Sequence, residues 1–299
     1  MTIDDQYKYF NEQLNSIYDQ RESSNITDWV FESIAKIKRL DRITNKQQSI
    51  SNSIIKQLNI ALQQLLTHKP VQYVLGEAWF YKMEFFVNEH VLIPRPETEE
   101  LVGWVVDEIR NKKLEIRNKE VVKLTIHNSQ LTIFDVGTGS GCIAIALKKE
   151  LPTAEIYAID VSEDALIVAK KNAADQNVKI DFKQIDFLDE STWSSLLRSF
   201  DIIVSNPPYI PENEKSKLDK NVVDHEPHPA LFVTDNDPFI FYKKIAEFAA
   251  THLENNGKIF VEIHEDHSEQ VEKIFREKDF KTEIRKDLHG RERMIKAYR

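Results

Sequence analysis

The chain has 299 residues, of which 49 are Asp or Glu and 40 are Lys or Arg, for a formal net charge of −9. This acidic excess argues against a protein that binds free nucleic acid through a broad basic surface. The lack of an apolar run of about 18 residues excludes a membrane-spanning helix, the acidic N-terminus lacks the core of a signal peptide, and a single cysteine excludes an internal disulfide bond.

The first 69 residues predict a small domain of three amphipathic helices. Apolar side chains keep a spacing of three to four residues from Tyr7 to Tyr18, and Thr27 opens a second such series. The third helix is predicted from Ser51 to Leu66. Basic side chains between the second and third helices predict either a solvated face or a contact for an acidic partner: Lys36, Lys38, Arg39, Arg42 and Lys46.

A β-hairpin linker is predicted over residues 70–94. Two short runs of mostly aromatic and apolar residues, 78–81 and 84–87, lie on either side of Lys82-Met83, as two hairpin strands would. Pro94-Arg95-Pro96 then leads into a helix from Glu97 to about Ile109. Two roles stay open for Arg95, contact with a ligand carboxylate and contact across a domain interface.

Three of the seven glycines fall within one short segment, Gly137-Thr138-Gly139-Ser140-Gly141. A predicted strand, Leu131–Phe134, precedes this segment, and a predicted helix over 142–149 follows it. This order is typical of a nucleotide-binding loop, because glycine lets a ligand approach the backbone. The next predicted strand ends at Asp160, about 20 residues on, where a carboxylate accepts ribose hydroxyls. A helix N-terminal acid is the alternative for Asp160.

Asn206-Pro207-Pro208-Tyr209 follows a predicted buried strand, Phe200–Ser205. Ligands bind at the carboxyl ends of strands in open α/β sheets. The asparagine offers a side-chain carbonyl oxygen, the prolines offer carbonyl oxygens without N–H donors, and the tyrosine offers a flat face. This combination predicts a receptor for a planar group that carries –NH2. A proline-terminated strand followed by a turn is the alternative.

From Leu131 onward, predicted strands and helices alternate, which indicates a mostly parallel, doubly wound sheet. After the tetrapeptide, helices are predicted over 238–253 and 267–278, and strands over 258–263, 280–285 and 293–298. The last two strands have no helix between them, which predicts an antiparallel pair. The predicted fold class is therefore α/β, a Rossmann-like sheet over residues 95–299 with an N-terminal helical domain.

The glycine-rich loop does not by itself distinguish a dinucleotide from S-adenosylmethionine (SAM). The tetrapeptide favours SAM, because a receptor for –NH2 suits amine methylation and has no role in hydride transfer. We therefore predict a SAM-dependent methyltransferase. No metal ion is predicted, because His264 and His267 have no third clustered ligand and no cysteine beside them.

Segments along the chain resemble the peptide chain release factor N5-glutamine methyltransferases. Residues 69–81 are similar to the linker signature of that family, and residues 91–99 (Val-Leu-Ile-Pro-Arg-Pro-Glu-Thr-Glu) to its most distinctive segment. Residues 135–145 and 203–210 match its cofactor loop and catalytic turn, and Glu226-Pro227 with Ala230-Leu231 matches a further motif. The resemblance runs from about Lys69 to the C-terminus.

The resemblance implies SAM-dependent methylation of a glutamine side-chain amide nitrogen, in the Gly-Gly-Gln tip of translation termination factors. It also implies that residues 1–69 recognise the substrate, and that Asp186 and Phe187 lie beside the adenine. The residues implied to bind SAM are Gly137, Thr138, Gly139, Ser140, Gly141, Asp160, Asp186, Phe187 and Asn206. The residues implied to grip the glutamine are Asn206, Pro207, Pro208 and Tyr209, with Asn206, Pro207 and Tyr209 catalytic.

Two segments depart from the family pattern. Phe232-Val233-Thr234-Asp235 stands where the family has a Gly-Gly pair, and residues 262–267 (Glu-Ile-His-Glu-Asp-His) stand where it has Glu-x-Gly with a nearby Gln. We expect neither departure to touch the amide grip. A third feature, Lys112–Gln130, predicts an insertion or a lengthened connection.

Two alternatives stay open for the function. One is methylation of another amine, such as a ribosomal-protein glutamine or a nucleobase exocyclic amine, and the other is a catalytically silent SAM-binding scaffold. The negative charge favours a protein substrate. We expect a monomeric, cytoplasmic enzyme that acts on release factors and binds neither nucleic acid nor membranes.

Overall fold

The structure is a computed structural model and describes residues 1–118, 131–196 and 198–299. It divides into two compact units, Met1–Glu77 with Leu218–Glu226, and Ala78–Lys217 with Pro227–Arg299. The connection predicted over Lys112–Gln130 lies outside the described residues from position 119 onward. Within the described ranges, no helix is both long and apolar enough to cross a bilayer.

The first unit is helical, with a core between its longer helices. Its first five helices are α1 (Ile3–Leu14), α2 (Gln20–Ala35), α3 (Arg39–Thr44), α4 (Asn52–Leu65) and α5 (Val71–Leu75). Phe10 on α1, Val30 on α2 and Leu58 on α4 are fully buried and belong to one apolar cluster. The apolar stripes read from the sequence therefore face one another, as amphipathic helices require.

The predicted start of the second helix is wrong. α2 begins at Gln20, because the Asp19 side chain accepts hydrogen bonds from the backbone N–H groups of Arg21 and Glu22, both at 2.8 Å. An aspartate in this position is a strong N-cap. Thr27 instead lies inside α2, where its hydroxyl donates to the Ser23 carbonyl at 2.7 Å. The helix predicted third along the chain is α4, and Ser51 caps it, as its predicted start requires.

The second unit alternates strands and helices around a central sheet. Its first elements are β1 (Glu77–Phe80), β2 (Met83–Phe86), α6 (Pro96–Asn118), β3 (Thr132–Val136), α7 (Cys142–Glu150), β4 (Glu155–Asp160), α8 (Glu163–Asp175), β5 (Asp181–Gln184) and β6 (Phe200–Ser205). After β6 come β7 (Ile210–Pro211), α9 (Lys220–Val223, in the first unit), α10 (His228–Leu231), β8 (Phe232–Val233), α11 (Ile240–His252), β9 (Leu253–Glu262), α12 (Ser268–Arg276), β10 (Lys281–Lys286) and β11 (Glu292–Tyr298).

Seven strands form the central sheet, in the order β10-β11-β9-β6-β3-β4-β5. The five strands from β9 to β5 run parallel, and β11 and β10 complete one edge as an antiparallel pair. The predicted mostly parallel sheet with an antiparallel terminal pair is confirmed. The chain moves outward from β3 through β4 to β5 and then returns to the other side of β3 as β6. This reversal creates the switch point at which such sheets bind ligands.

Both faces of the sheet are covered, so its central strands are buried on both sides. On β6, Ile202 and Val204 pack with α6 and α7, whereas Ile203 packs with α11 and α12. Side chains alternate between the two faces of a strand, and a parallel strand between two helical layers is apolar at most positions. This explains the continuous apolar run that identified β6 in the sequence.

Several predicted boundaries differ from the structure. The hairpin turn is Tyr81-Lys82, not Lys82-Met83, and both turn residues have positive φ (50° and 63°), as a type I′ turn requires. β9 begins at Leu253, five residues early, because its register against β6 shifts past a bulge. A Cβ on Gly257 would lie 2.7 Å from Leu253 Cγ, so the bulge requires glycine there. α6 is longer than predicted.

Candidate functional site

Four neighbouring parallel strands end at the same edge of the sheet, and each brings a polar segment there. β4 ends at Asp160, β3 leads into the glycine-rich loop, β6 leads into Asn206, and β9 ends at Glu262. The register pairs Asp135 on β3 with Val204 on β6. The structure therefore places the loop, Asp160 and the tetrapeptide at the edge that the strand order marks for a ligand.

Asp160 is tied to the glycine-rich loop by backbone hydrogen bonds. Its Oδ2 accepts from the Gly139 N–H at 2.8 Å, and its Oδ1 accepts from the Ser162 N–H at 3.0 Å. Burial raises the pKa of Asp160, although these N–H groups act in the opposite direction. Each carboxylate oxygen has more than one lone pair, so the same side chain can also accept ligand hydroxyls.

The glycines of the loop serve two different purposes. Gly141 has a φ of +81°, and a Cβ there would lie 3.1 Å from Ala169 Cβ, so α7 and α8 pack closely only with glycine at this position. Gly137 and Gly139 also have positive φ, but a Cβ on either would meet no atom within 4 Å. Open space therefore lies beside the backbone at these two residues, as a cradle for a ligand requires.

Two buried polar atoms at the loop have no hydrogen-bond partner among the described residues, Asp135 Oδ1 and Ser140 Oγ. Asp135 Oδ2 accepts from the Thr138 hydroxyl at 2.7 Å, and burial raises the pKa of Asp135 to about 7. Buried groups of this kind are normally satisfied. An unsatisfied carboxylate and hydroxyl beside a glycine cradle fit a ligand with hydrogen-bond donors and no phosphate, which is the chemistry of SAM.

Asp186 and Phe187 occupy different environments. Asp186 is exposed, and its Oδ1 accepts from the Leu188 N–H at 3.0 Å. The Phe187 ring is buried in the apolar core, 5.5 Å from the Trp193 ring and 5.4 Å from the Phe248 ring by centroids. The Phe187 side chain thus contributes to the core, and a ligand would meet this segment through its backbone and through Asp186.

The tetrapeptide forms a half-buried corner directly after β6. Asn206 Nδ2 donates to Thr98 Oγ1 at 3.1 Å, which turns the side-chain Oδ1 away from Thr98. Pro207 is buried, and the Tyr209 hydroxyl donates to Glu262 Oε1 at 3.3 Å. The corner is therefore rigid at both ends, with the carboxamide held in one orientation.

Sequence reasoning gave no role to Thr98 or Glu262, yet both are part of this corner. Thr98 is 2% exposed and donates from Oγ1 to Glu262 Oε2 at 2.6 Å. Burial raises the pKa of Glu262 to about 7, against the lowering effect of its two hydroxyl donors and of Arg293. Thr98 lies in a segment that carries the family resemblance, 91–99, whereas Glu262 begins a segment that departs from the family pattern, 262–267. The comparison with the family pattern drew attention to both segments, but it could not show that Thr98 and Glu262 contact each other.

The expectation that neither departure touches the amide grip is wrong for one of them. The His264 ring packs edge-on against the Tyr209 ring, with 6.1 Å between centroids, and lies 5.1 Å from the His267 ring. The other departure also lies near the corner, since Phe232 on β8 pairs with Ile210 on β7 directly after Tyr209. A histidine in place of a glycine thus changes the surroundings of the tyrosine.

Two family profiles match the chain. Residues 6–76 match the family described as PrmC N-terminal domain, and residues 120–227 match the family described as Methyltransferase small domain. Among solved structures, the chain is similar to the catalytic domain of hMettl16 in complex with MAT2A 3'UTR hairpin 6, at 14% identity. That similarity covers 83% of this chain and 82% of the other with a TM-score of 0.52, which supports the fold alone.

Several relatives are similar to this chain over nearly its whole length. A release factor glutamine methyltransferase of Flavobacterium psychrophilum is 42% identical over 298 residues, with 99% of each chain covered. Another of the same name from Streptococcus pneumoniae is 39% identical, with 92% of each chain covered. A third, from Bacteroides thetaiotaomicron, is 35% identical and covers 97% of this chain and 98% of its own.

Proposed function

The chain belongs to the release factor glutamine methyltransferases, and from that membership we propose how its own residues carry out the reaction. It methylates the side-chain amide nitrogen of a release factor glutamine, with SAM as the methyl donor. We infer that this glutamine is the one in the Gly-Gly-Gln tip. The roles of the individual site residues, given below, are part of the proposal.

The glycine-rich loop and the carboxylates around it would hold SAM. When bound, SAM supplies an electrophilic methyl group on a sulfonium. Asp160 accepts hydroxyl donors while its backbone hydrogen bonds keep it fixed against the loop. The unpartnered oxygens of Asp135 and Ser140 supply acceptors for a positively charged or N–H donor group. Asp186 and the backbone at Phe187 complete the proposed set.

The corner has to make an amide nitrogen react as a nucleophile. Delocalisation of the nitrogen lone pair into the carbonyl is what gives an amide its rotation barrier of roughly 18–20 kcal/mol. We propose that Asn206 Oδ1 and the Pro207 carbonyl each accept one N–H of the substrate amide. Electron density then moves onto nitrogen, and the acceptors stabilise the positive charge that develops there. A preorganised group of this type contributes about 3 kcal/mol.

Proton transfer makes no demand on a strong base. The nitrogen becomes acidic once it is methylated, so its extra proton leaves to water after transfer. Orientation contributes further, because the corner holds the nitrogen in line for attack. Tyr209 keeps the plane of the amide by stacking, with its own hydroxyl held by Glu262.

The observation that carries this proposal is the orientation of Asn206. Asn206 directly follows β6, and its amide donates to Thr98 on α6. β6 lies beside β3, the strand that leads into the glycine-rich loop. A carboxamide fixed by its NH2 group presents its oxygen to an incoming donor. Had Asn206 been turned the other way, it would have offered a donor to a group that itself carries only donors at nitrogen.

A labelling experiment tests the function. Radiolabelled SAM and the enzyme are incubated with one candidate acceptor at a time: a release factor, ribosomes or tRNA. The labelled peptide is then mapped by mass spectrometry. We expect label only on the release factor, on the glutamine of the Gly-Gly-Gln tip, and none when that glutamine is replaced by glutamate. Label on ribosomal protein or on tRNA would refute the proposed substrate, and tight SAM binding with no labelled acceptor would indicate a silent scaffold.

A monomeric state, a cytoplasmic location and the absence of direct nucleic-acid binding remain part of this proposal. So do a substrate-recognition domain at 1–69, a linker at 70–94 and a catalytic domain at 95–299. The acidic net charge of −9 supports a protein partner over a nucleic acid.

A further inference from the structure

Three segments that are far apart in the chain meet at one buried carboxylate. Glu262 is 2% exposed at the end of β9, and its two side-chain oxygens accept from different donors. Oε2 accepts from the Thr98 hydroxyl in the first turn of α6, at 2.6 Å. Oε1 accepts from the Tyr209 hydroxyl at the far end of the tetrapeptide, at 3.3 Å. The carboxylate therefore contacts one end of the corner directly and the other through Thr98.

The direction of these hydrogen bonds determines how Asn206 is turned. A threonine hydroxyl has a single proton, and an ionised carboxylate can only accept. The proton of Thr98 is therefore committed to Glu262, and Thr98 Oγ1 can only accept from its other neighbour. That neighbour is Asn206, which presents Nδ2 at 3.1 Å. The opposite amide orientation would place two acceptors against each other.

We propose that Glu262 and Thr98 are positioning residues for methyl transfer, which together fix the Asn206 carboxamide with its oxygen turned toward the substrate amide. This inference rests on the proposed role of Asn206 and deepens it. The Thr98 arm is the stronger one, since its bond to the carboxylate is 2.6 Å and that of Tyr209 is 3.3 Å. The orientation of Asn206 is thus set before any substrate arrives.

The charge environment of Glu262 supports a positioning role over simple space filling. Burial of a carboxylate is costly, and a neutral side chain of similar volume would cost less. Arg293 on β11 favours the ionised form, and Glu97 on α6 opposes it. The Tyr242 hydroxyl on α11 donates to the backbone carbonyl of Glu262 at 3.0 Å and so fixes the main chain. A glutamine at this position would have only one accepting oxygen, and its NH2 group could not accept from the second hydroxyl.

The first test compares three threonine variants by single-turnover kinetics, with SAM affinity from calorimetry. Thr98→Val removes the hydroxyl at nearly constant volume, and we expect the methyl-transfer rate to fall 10- to 100-fold while SAM affinity stays within about threefold. Thr98→Ser keeps the hydroxyl and should recover the rate to within about threefold. The matched control is Thr132→Val, which removes a hydroxyl that donates to Asp201 at 3.0 Å at the amino end of β3.

The threonine series overturns the inference if Thr98→Val lowers the melting temperature as Thr132→Val does but leaves the transfer rate unchanged. It also does so if Thr98→Ser is as slow as Thr98→Val, because volume and not the hydroxyl would then matter. Neither result would touch the role of Asn206, which is tested by its own substitution. Failure of the inference and failure of the proposed function are therefore distinguishable.

The second test uses the pH dependence of kcat/KM, which reports groups of the free enzyme. Only ionised Glu262 accepts from both hydroxyls, and burial raises its pKa to about 7. In the native enzyme, kcat/KM should therefore fall as pH decreases below about 7. Glu262→Gln should be about tenfold slower at pH 8 and should lack that decline. An unchanged decline in Glu262→Gln would assign it to another group, such as Asp135 or His264, and would overturn the positioning role of the carboxylate.

Discussion

In the proposed mechanism Asn206 acts through a single oxygen atom, and its hydrogen bond to Thr98 sets which way that oxygen points. The sequence was enough to propose this residue for the role, because an asparagine before two prolines at a strand end offers a restricted set of acceptors. It could not show the orientation of the amide, since Thr98 lies 108 positions before Asn206 and Glu262 lies at the end of another strand, β9. Contacts of that separation depend on the fold, and local spacing carries no record of them.

At Tyr209, we predict that the ring matters more than the hydroxyl. The ring packs against the apolar cluster under α11, whereas the hydroxyl bond to Glu262 is long, at 3.3 Å. Tyr209→Ala should raise KM for the release factor tenfold or more, and Tyr209→Phe should change kcat/KM by about threefold or less. Steady-state kinetics with purified release factor measures both. If Phe proves as harmful as Ala, stacking is the wrong role.

Asp135 gives a prediction about stability and pH. Burial raises its pKa to about 7 from an ordinary value of 3.8, so the folded chain holds a proton that the unfolded chain releases. The stability that this proton confers is fully present below about pH 4 and is lost as pH rises through 7. Asp135→Asn escapes that loss, so its melting temperature relative to the native enzyme should rise by several degrees from pH 5 to pH 8.

Thermal melts without SAM at both pH values check this prediction. The control is Asp181→Asn, because Asp181 is an exposed residue whose carboxylate is solvated in the folded chain. A constant difference between Asp135→Asn and the native enzyme across the pH range would contradict a proton held on Asp135. Burial also raises the pKa of Glu262, so Glu262 lowers stability at high pH in the same direction. The Asp135→Asn variant keeps Glu262, so its difference from the native enzyme reports Asp135 alone.

At the scale of elements, local pattern predicted existence well and boundaries less well. β6 and β4 were predicted at their observed ends, since continuous apolar runs mark strands buried on both faces. β9 was predicted too short, because Asn255-Asn256-Gly257 resembles a turn and is in fact a bulge paired against β6. α2 was predicted too late, because its first turns are polar and only the Asp19 cap marks their start.

One buried amide links the hairpin strand β2 to the glycine-rich loop. Asn172 on α8 accepts from the Phe86 N–H at 2.8 Å and donates to the carbonyls of Phe86 and Ser140, both at 2.9 Å. These bonds satisfy all the donors of the Asn172 amide. Nothing in the local sequence marks Asn172, because its partners come from segments 86 and 32 positions away.

We predict that Asn172→Ala lowers the free energy of unfolding by about 2–4 kcal/mol, because it leaves three backbone groups unpaired, the buried Ser140 carbonyl and two partly buried groups of Phe86. SAM affinity should also decrease, since the Ser140 carbonyl belongs to the loop. The matched control is Gln176→Ala, at the residue directly after α8, which loses one exposed bond to the Glu84 carbonyl and should cost about 1 kcal/mol or less. Denaturant titration and calorimetry measure both effects. Equal losses in the two variants would contradict the linking role.

At the scale of the whole molecule, charge and composition limit the classes of partner. The acidic excess lies after the first 75 residues, in the part that includes the sheet, and the N-terminal basic patch is weaker than its sequence suggests. Arg42 lies 3.4 Å from Asp28 and 3.7 Å from the Tyr7 ring centroid, so part of that patch is used within its own unit. The sequence predicted the α/β class from alternation alone. The family resemblance, carried by several separated segments, predicted the reaction.

We predict that the enzyme does not bind tRNA or duplex DNA at physiological salt. A protein that neutralises phosphates needs clustered Lys and Arg, and a net charge of −9 leaves no excess of positive charge to attract a polyanion. Electrophoretic mobility shift assays at 0.1–0.2 M salt, where the Debye length is about 10 Å or less, should show no complex at low micromolar protein. A complex whose affinity decreases steeply with salt would reveal a local basic groove and contradict this expectation.

The most direct measurement of the central claim is single-turnover methylation of a release factor by Asn206→Ala, with SAM affinity measured in parallel by calorimetry. The Asn206 oxygen and the Pro207 carbonyl are proposed to draw the substrate N–H groups so that nitrogen can attack. We predict that the transfer rate falls by roughly 10²–10³-fold while SAM binds within about threefold of its native affinity. A transfer rate like that of the native enzyme would contradict the claim.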